Sequence, residues 1–101
     1  MPAQLLAEAD ERPRLLFFHS VRCGRCRRAE SFLAEALQYR HNHDTFRLLR
    51  VSVDDRPELM ERFGVEQLPT LFVIEGGKTV RTIVAPRGSF ELKRELAPWL
   101  H

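Results

Sequence analysis

A chain of 101 residues, 44% hydrophobic and 30% charged, carries enough apolar side chain for one modest core and too much for a disordered segment. Its formal net charge is +2, and its basic residues, fourteen of them Arg, are interspersed with acidic ones, which argues for a solvated mixed surface and against a dedicated nucleic-acid binder. No run approaches the ~20 apolar residues of a membrane span, and the amino-terminal MPAQLLAEADERPR lacks the basic start and apolar stretch of a secretory signal, so a single cytoplasmic domain over 1–101 is expected.

In chain order, the first dozen residues read as a short helix with Leu5, Leu6 and Ala9 on its apolar side. LLFFHS (15–20) is a continuous apolar run of the kind that forms a strand covered on both faces. After Cys23–Gly24 the period becomes helical: Cys26, Ala29, Leu33, Ala36 and Leu37 share a face, and the polar RHNHD (40–44) ends it. FRLLRVSV (46–53) predicts a second buried strand. DDRPELMERFG (54–64) predicts a compact helix, with Asp55 and Glu58 as a capping box, Pro57 in the first turn and Gly64 as the stop. TLFVI (70–74) and TVRTIV (79–84) read as strands of a hairpin closed by EGGK. SFELKRELAPWL (89–100) predicts a last helix capped by Ser89, with Leu92, Leu96 and Trp99 or Leu100 facing the core; Phe90 is also expected there. The order is β-α-β-α-β-β-α, an α/β arrangement in which a crossover makes the first two strands parallel and a hairpin makes the last two antiparallel.

HSVRCGRCRRAESF (19–32) contains both cysteines, at the junction of the first strand and the first long helix. Cys23 falls at or just before the helix start, where free N–H groups and the helix dipole favour an anion, so a lowered thiol pKa is expected. Cys26 falls on the line continuing to Ala29, Leu33 and Leu37, the buried face. One exposed and one shielded sulfur suit thiol–disulfide exchange, in which Cys23 attacks a disulfide and Cys26 then displaces the product.

The same chain resembles a small thioredoxin. Beyond the CxxC, VDDRPELMERFGVEQLPT (53–70) has an Asp–x–x–Pro start, the aromatic–Gly pair Phe63–Gly64 and the hydrophobic–Pro–Thr of Leu68–Pro69–Thr70; the likeness runs over residues 14 to 100. It implies a thioredoxin-like fold with a central mixed sheet of about four strands flanked by helices, the amino-terminal helix standing in for the family's first strand. It implies a cis Pro69 beside the CxxC and a backbone at Leu68 that pairs with an extended substrate, so Leu68, Pro69 and Thr70 are candidate substrate-binding residues. Protein disulfides are the implied partners and a reductase or small thiol the electron donor; the redox-active disulfide itself leaves no separate cofactor to expect, and a monomer is expected.

The departures from the family's pattern lie around the sulfurs. Arg22 occupies the usual Trp position, Arg25 the Pro of CGPC, and Phe17 the position of the buried acid that assists proton transfer at the second cysteine; His19 stands where Trp is common. A cation beside a thiolate favours the charged, reduced form, so Arg22, Gly24, Arg25 and His19 are candidate tuning residues, a more oxidising potential is expected, and acidic groups around the substrate disulfide are favoured. Zinc ligation through Cys23, Cys26 and His19, or through His41 and His43, is disfavoured by the spacing and the lack of a second CxxC, so no metal is expected. A redox-inactive or redox-regulated adaptor on the same fold is the alternative.

Overall fold

A computed structural model describes residues 12–101; the helix expected around Leu5, Leu6 and Ala9 lies outside them. The elements are β1 (Arg14–His19), α1 (Gly24–Gln38), a 3-10 turn (Tyr39–His41), β2 (Arg47–Ser52), α2 (Pro57–Arg62), β3 (Thr70–Glu75), β4 (Lys78–Val84) and α3 (Ser89–Leu96). That is the predicted order. The four strands form one mixed sheet in the order β2-β1-β3-β4. β1 runs parallel to β2, with Phe17 opposite Arg50, and antiparallel to β3, with Phe17 opposite Leu71; β3 and β4 are the antiparallel hairpin.

The middle of β1, Leu15 to Phe18, is apolar because the strand lies between two others and is covered on both faces. Alternate side chains separate as the pleat requires. Leu15 and Phe17 pack with Leu33 and Ala36 of α1 and Leu92 and Leu96 of α3, whereas Leu16 and Phe18 pack on the other face with Leu59 of α2, Val65 and Phe72. The buried face of α1 is the predicted one, Cys26, Ala29, Leu33, Ala36 and Leu37. Each large apolar side chain so buried stabilises by about 1.5–3 kcal/mol, and this packing, more than intrinsic propensity, holds the helix.

β3 and β4 meet through Gly76 and Gly77, both at positive φ (58° and 76°), which is the backbone a two-residue hairpin turn demands. At the end of α2, Gly64 (φ 67°) donates its N–H to the Glu61 carbonyl (3.1 Å) and Val65 donates to the Met60 carbonyl (2.9 Å), which together make a Schellman stop.

Four expectations change. β2 is an outer strand among the described residues, and within Arg47–Ser52 only Val51 is buried; Leu48 and Leu49 are half-buried, one against each core, because a strand with one neighbour is covered from fewer sides. The Asp55–Glu58 capping box is not formed. Arg56 is the N-cap of α2, and Glu58 pairs with the Arg56 guanidinium (2.6 Å) instead. Ser89 is the first helical residue of α3; Gly88 is the cap, and Glu91 accepts the Arg87 N–H (2.9 Å) in place of a hydroxyl cap. Phe90 is 71% exposed beneath the Arg94 guanidinium, since it lies off the Leu92–Leu96 line that α3 presents to the core. Trp99 and Leu100 both pack against that core.

The polar RHNHD stretch also does more than end a helix. Asn42 is wholly buried, and its side-chain oxygen accepts from Thr45 Oγ1 (2.7 Å) and from the His101 N–H (2.9 Å), tying the turn after α1 to the carboxyl terminus.

Candidate active site

The site begins where β1 ends. The His19 backbone carbonyl accepts the Val53 N–H (2.9 Å), which fixes the strand end to the stretch that follows β2. The next turn is held by Asp54. Its carboxylate accepts from Ser20 Oγ (2.9 and 3.1 Å) and from the Val21 N–H (2.9 Å), while Ser20 Oγ accepts the Arg22 N–H (3.2 Å) and the Ser20 carbonyl accepts the Cys23 N–H (3.2 Å). These bonds lower the Asp54 pKa below its ordinary 3.8, the Val21 N–H first and the Ser20 hydroxyl next, with smaller help from the charges of Arg22 and His19. The sequence places Asp54 at the Asp–x–x–Pro entry of a helix over 54–64 and not in the site; the helix starts at Pro57, and Asp54 holds the CxxC turn instead. An Asp directly after a strand that runs beside the CxxC strand is the available signal.

Cys23 is the N-cap of α1, with extended backbone (φ −102°, ψ 105°), and its sulfur accepts the Cys26 N–H at 3.1 Å. A cap side chain satisfying a first-turn donor is the local reason the helix starts here. Cys23 is half-exposed and Cys26 is 3% exposed, and the two sulfurs are bonded to each other, with Cα atoms 5.2 Å apart. The predicted asymmetry is present: one sulfur at the surface, the other shielded.

The Leu68–Pro69 bond is cis. Leu68 shares a groove with Arg22, Cys23, Gly24 and Arg25, so five of the residues singled out in the sequence come together. Pro69 and Thr70 are buried behind that groove. Pro69 accepts the Ala85 N–H (2.8 Å), and the Thr70 hydroxyl donates to the Gln67 carbonyl (2.6 Å), so Thr70 points inward and holds the loop.

His19 is not in that groove. With Phe17, Cys26, Glu30 and Arg50 it lines a cavity of about 290 Å³, with room for water. The imidazole stacks on the Phe17 ring (centroids 5.6 Å, planes 21° apart). At the far wall Arg50 Nε donates to both oxygens of Glu30 (2.9 Å each), joining β2 to α1. Phe17, at the position the resemblance gives to a buried acid, thus leaves Cys26 beside a cavity with polar groups on its other walls. Among the described residues no three His, Cys, Asp or Glu side chains gather as a metal-ligand set. No described helix is long and apolar enough to cross a membrane.

A disulfide at the amino end of a helix, flanked by a cis-proline loop and set on a four-stranded mixed sheet, defines a dithiol–disulfide exchange site. The thioredoxin family model matches residues 3–98. Thioredoxin of Streptomyces clavuligerus is 33% identical over 92 residues, covering 86% of this chain and 82% of that one; thioredoxin of Alicyclobacillus acidocaldarius is 29% identical over 87 residues, covering 86% and 81%. The chain also matches the bifunctional thioredoxin reductase/thioredoxin of Mycobacterium leprae at 30% identity, spanning 88% of this chain but 19% of that longer protein. Among solved structures, a protein named Trxlp from Edwardsiella tarda superposes with a TM-score of 0.76 at 24% identity, covering 91% of this chain and 86% of that one, which bears on the fold alone. The chain belongs to the thioredoxin family, and with its bonded Cys23–Cys26 pair it is a thiol–disulfide oxidoreductase.

Proposed function

We propose that the chain exchanges disulfides with protein substrates in the cytoplasm, with Cys23 as nucleophile and Cys26 as resolving thiol. In the reduced protein the Cys23 thiolate attacks one sulfur of a substrate disulfide, and the other substrate sulfur leaves as a thiolate that takes up a proton. Cys26 then loses its proton and attacks Cys23; the Cys23–substrate bond breaks, the second substrate thiol is released, and the Cys23–Cys26 disulfide remains. A reductase or small thiol returns the pair to the dithiol. The observation that carries this reading is the position of Cys23. Its sulfur caps α1, accepts the Cys26 N–H at 3.1 Å and opens onto the groove that Leu68 lines.

Two finer steps follow from the surroundings. The proton of Cys26 leaves through the adjoining cavity, where His19 is the acceptor, reached through water, in place of the acid that Phe17 displaces. Arg22 and Arg25, exposed beside Cys23, favour its thiolate and raise the reduction potential above that of ordinary thioredoxins. Reduction of insulin disulfides with dithiothreitol as donor tests the activity: wild type is active, and Cys23→Ser and Cys26→Ser are each inactive. An inactive wild type that still binds a protein partner would replace this reading with the adaptor.

A further inference from the structure

Apart from the His19 cavity, two grooves near Cys23 run into one another. The first holds Cys23 among Arg22, Arg25 and Arg28, with Leu68 opposite. The second, of about 800 Å³, starts from the same Arg25, Arg28 and Gln67, passes the Ala85–Pro86 segment and reaches Arg87 and Arg94. The surface is therefore continuous from the reactive sulfur to the outer side of α3. The Ala85 N–H to Pro69 carbonyl bond (2.8 Å) holds its middle against the cis-proline loop.

Its charge is concentrated and uncompensated. The two grooves are lined by five arginines (Arg22, Arg25, Arg28, Arg87 and Arg94) and two glutamates (Glu66 and Glu91), an excess of three positive charges in a chain whose formal net charge is only +2. Three arginines outside the grooves find carboxylates: Arg50 with Glu30 at 2.9 Å, Arg56 with Glu58 at 2.6 Å and Arg81 with Glu95 at 3.2 Å. Among the described residues none of the five groove arginines makes an ion pair. Glu91, the carboxylate between Arg87 and Arg94, accepts the Arg87 backbone N–H (2.9 Å) instead. Arg94 stacks over the Phe90 ring, but a ring face leaves its N–H groups available; guanidiniums without a carboxylate partner are donor forks for an outside anion, and the fork geometry matches a carboxylate.

We propose that this groove recognises an acidic segment of the disulfide substrate, Asp or Glu side chains flanking the cysteine that Cys23 attacks. The inference rests on the exchange activity proposed above and extends it to the substrate's chemistry. The carboxylates settle on Arg25, Arg28, Arg87 and Arg94 while the segment's backbone lies at Leu68, and the same charges steer its approach.

The test uses the full chain and three peptide disulfides that differ only in four residues flanking one cysteine, made Glu, Gln or Lys. At low ionic strength kcat/KM is expected to be at least about tenfold higher for the Glu peptide than for the Gln peptide and lowest for the Lys peptide, and the preference shrinks as salt screens it. In Arg87→Glu/Arg94→Glu the Glu-to-Gln ratio falls to near one or below, with Arg87→Gln/Arg94→Gln intermediate; because each ratio is taken within one protein, a partial loss of fold does not produce it. A charge-blind wild type, or an unchanged ratio in both double variants, would overturn the proposal. Anisotropy with the same peptides carrying Ser for Cys reads the groove without turnover, so an acidic preference there survives a failure of the exchange chemistry. Equal binding of a single-stranded oligonucleotide of matching charge would contradict the assignment to a peptide.

Discussion

Asp54 is the residue on which the approach to Cys23 depends, because one carboxylate holds the Ser20 hydroxyl and the Val21 N–H and so sets the turn that delivers the sulfur to the helix end. Its pKa is lowered in the folded protein, so the stability it contributes is fully present above its ordinary value of 3.8 and is lost as pH falls through the lower folded value. Unfolding curves of wild type and Asp54→Asn should accordingly differ above about pH 4 and converge in more acidic solution. In the variant, amide exchange at Val21 should accelerate. His19 makes a different kind of prediction. His19→Gln should leave formation of the mixed disulfide nearly unaltered and slow its resolution by about tenfold or more, and free imidazole should restore part of the rate, which repacking alone does not produce. Arg25→Gln should lower the reduction potential by about 10–20 mV, the effect of one exposed charge near the thiolate, read by equilibration against a glutathione buffer.

Elements here are held by packing and by how they end. Leu33 of α1 is 1% exposed between β1 and α3, and Leu33→Ala should cost about 2–5 kcal/mol, measured by denaturant unfolding. Gly64→Ala places a side chain at φ 67° and should cost about 1 kcal/mol, or about 4–8 °C in Tm for a domain of this size. These features were legible because they rest on local chemistry: the continuous apolar run of β1, the 3.6-residue spacing of Cys26, Ala29, Leu33 and Leu37, and glycines where the chain must take positive φ. Details decided across elements were not. Whether Glu58 bonds a backbone N–H or the Arg56 guanidinium depends on how the turn after β2 arrives, and the exposure of β2 depends on its place in the sheet, which its composition does not encode. Asn42 reads as a surface loop residue until Thr45 and His101 are brought to it.

At the scale of the whole molecule, the fold gives the two sulfurs of one disulfide unlike environments. Towards His19 lies a cavity beside the shielded Cys26, and towards Leu68 lies an open basic groove beside Cys23. The cysteine pair and the distant Leu68–Pro69 were readable as companions through their resemblance to a family pattern. Arg87 and Arg94 were not, since only the packing of α3 against α1 and the loop after β4 carries them to the same surface as Arg25. The combined charge around the thiols predicts a reduction potential above the roughly −270 mV of thioredoxin. The division of labour between the sulfurs is tested most directly by intact-mass analysis of single-cysteine variants mixed with a peptide disulfide. Cys26→Ser should accumulate a stable adduct of one peptide half on Cys23, and Cys23→Ser should accumulate little or none on the buried Cys26. Equal adducts on both variants, or an adduct on Cys26 alone, would contradict the assignment of Cys23 as nucleophile.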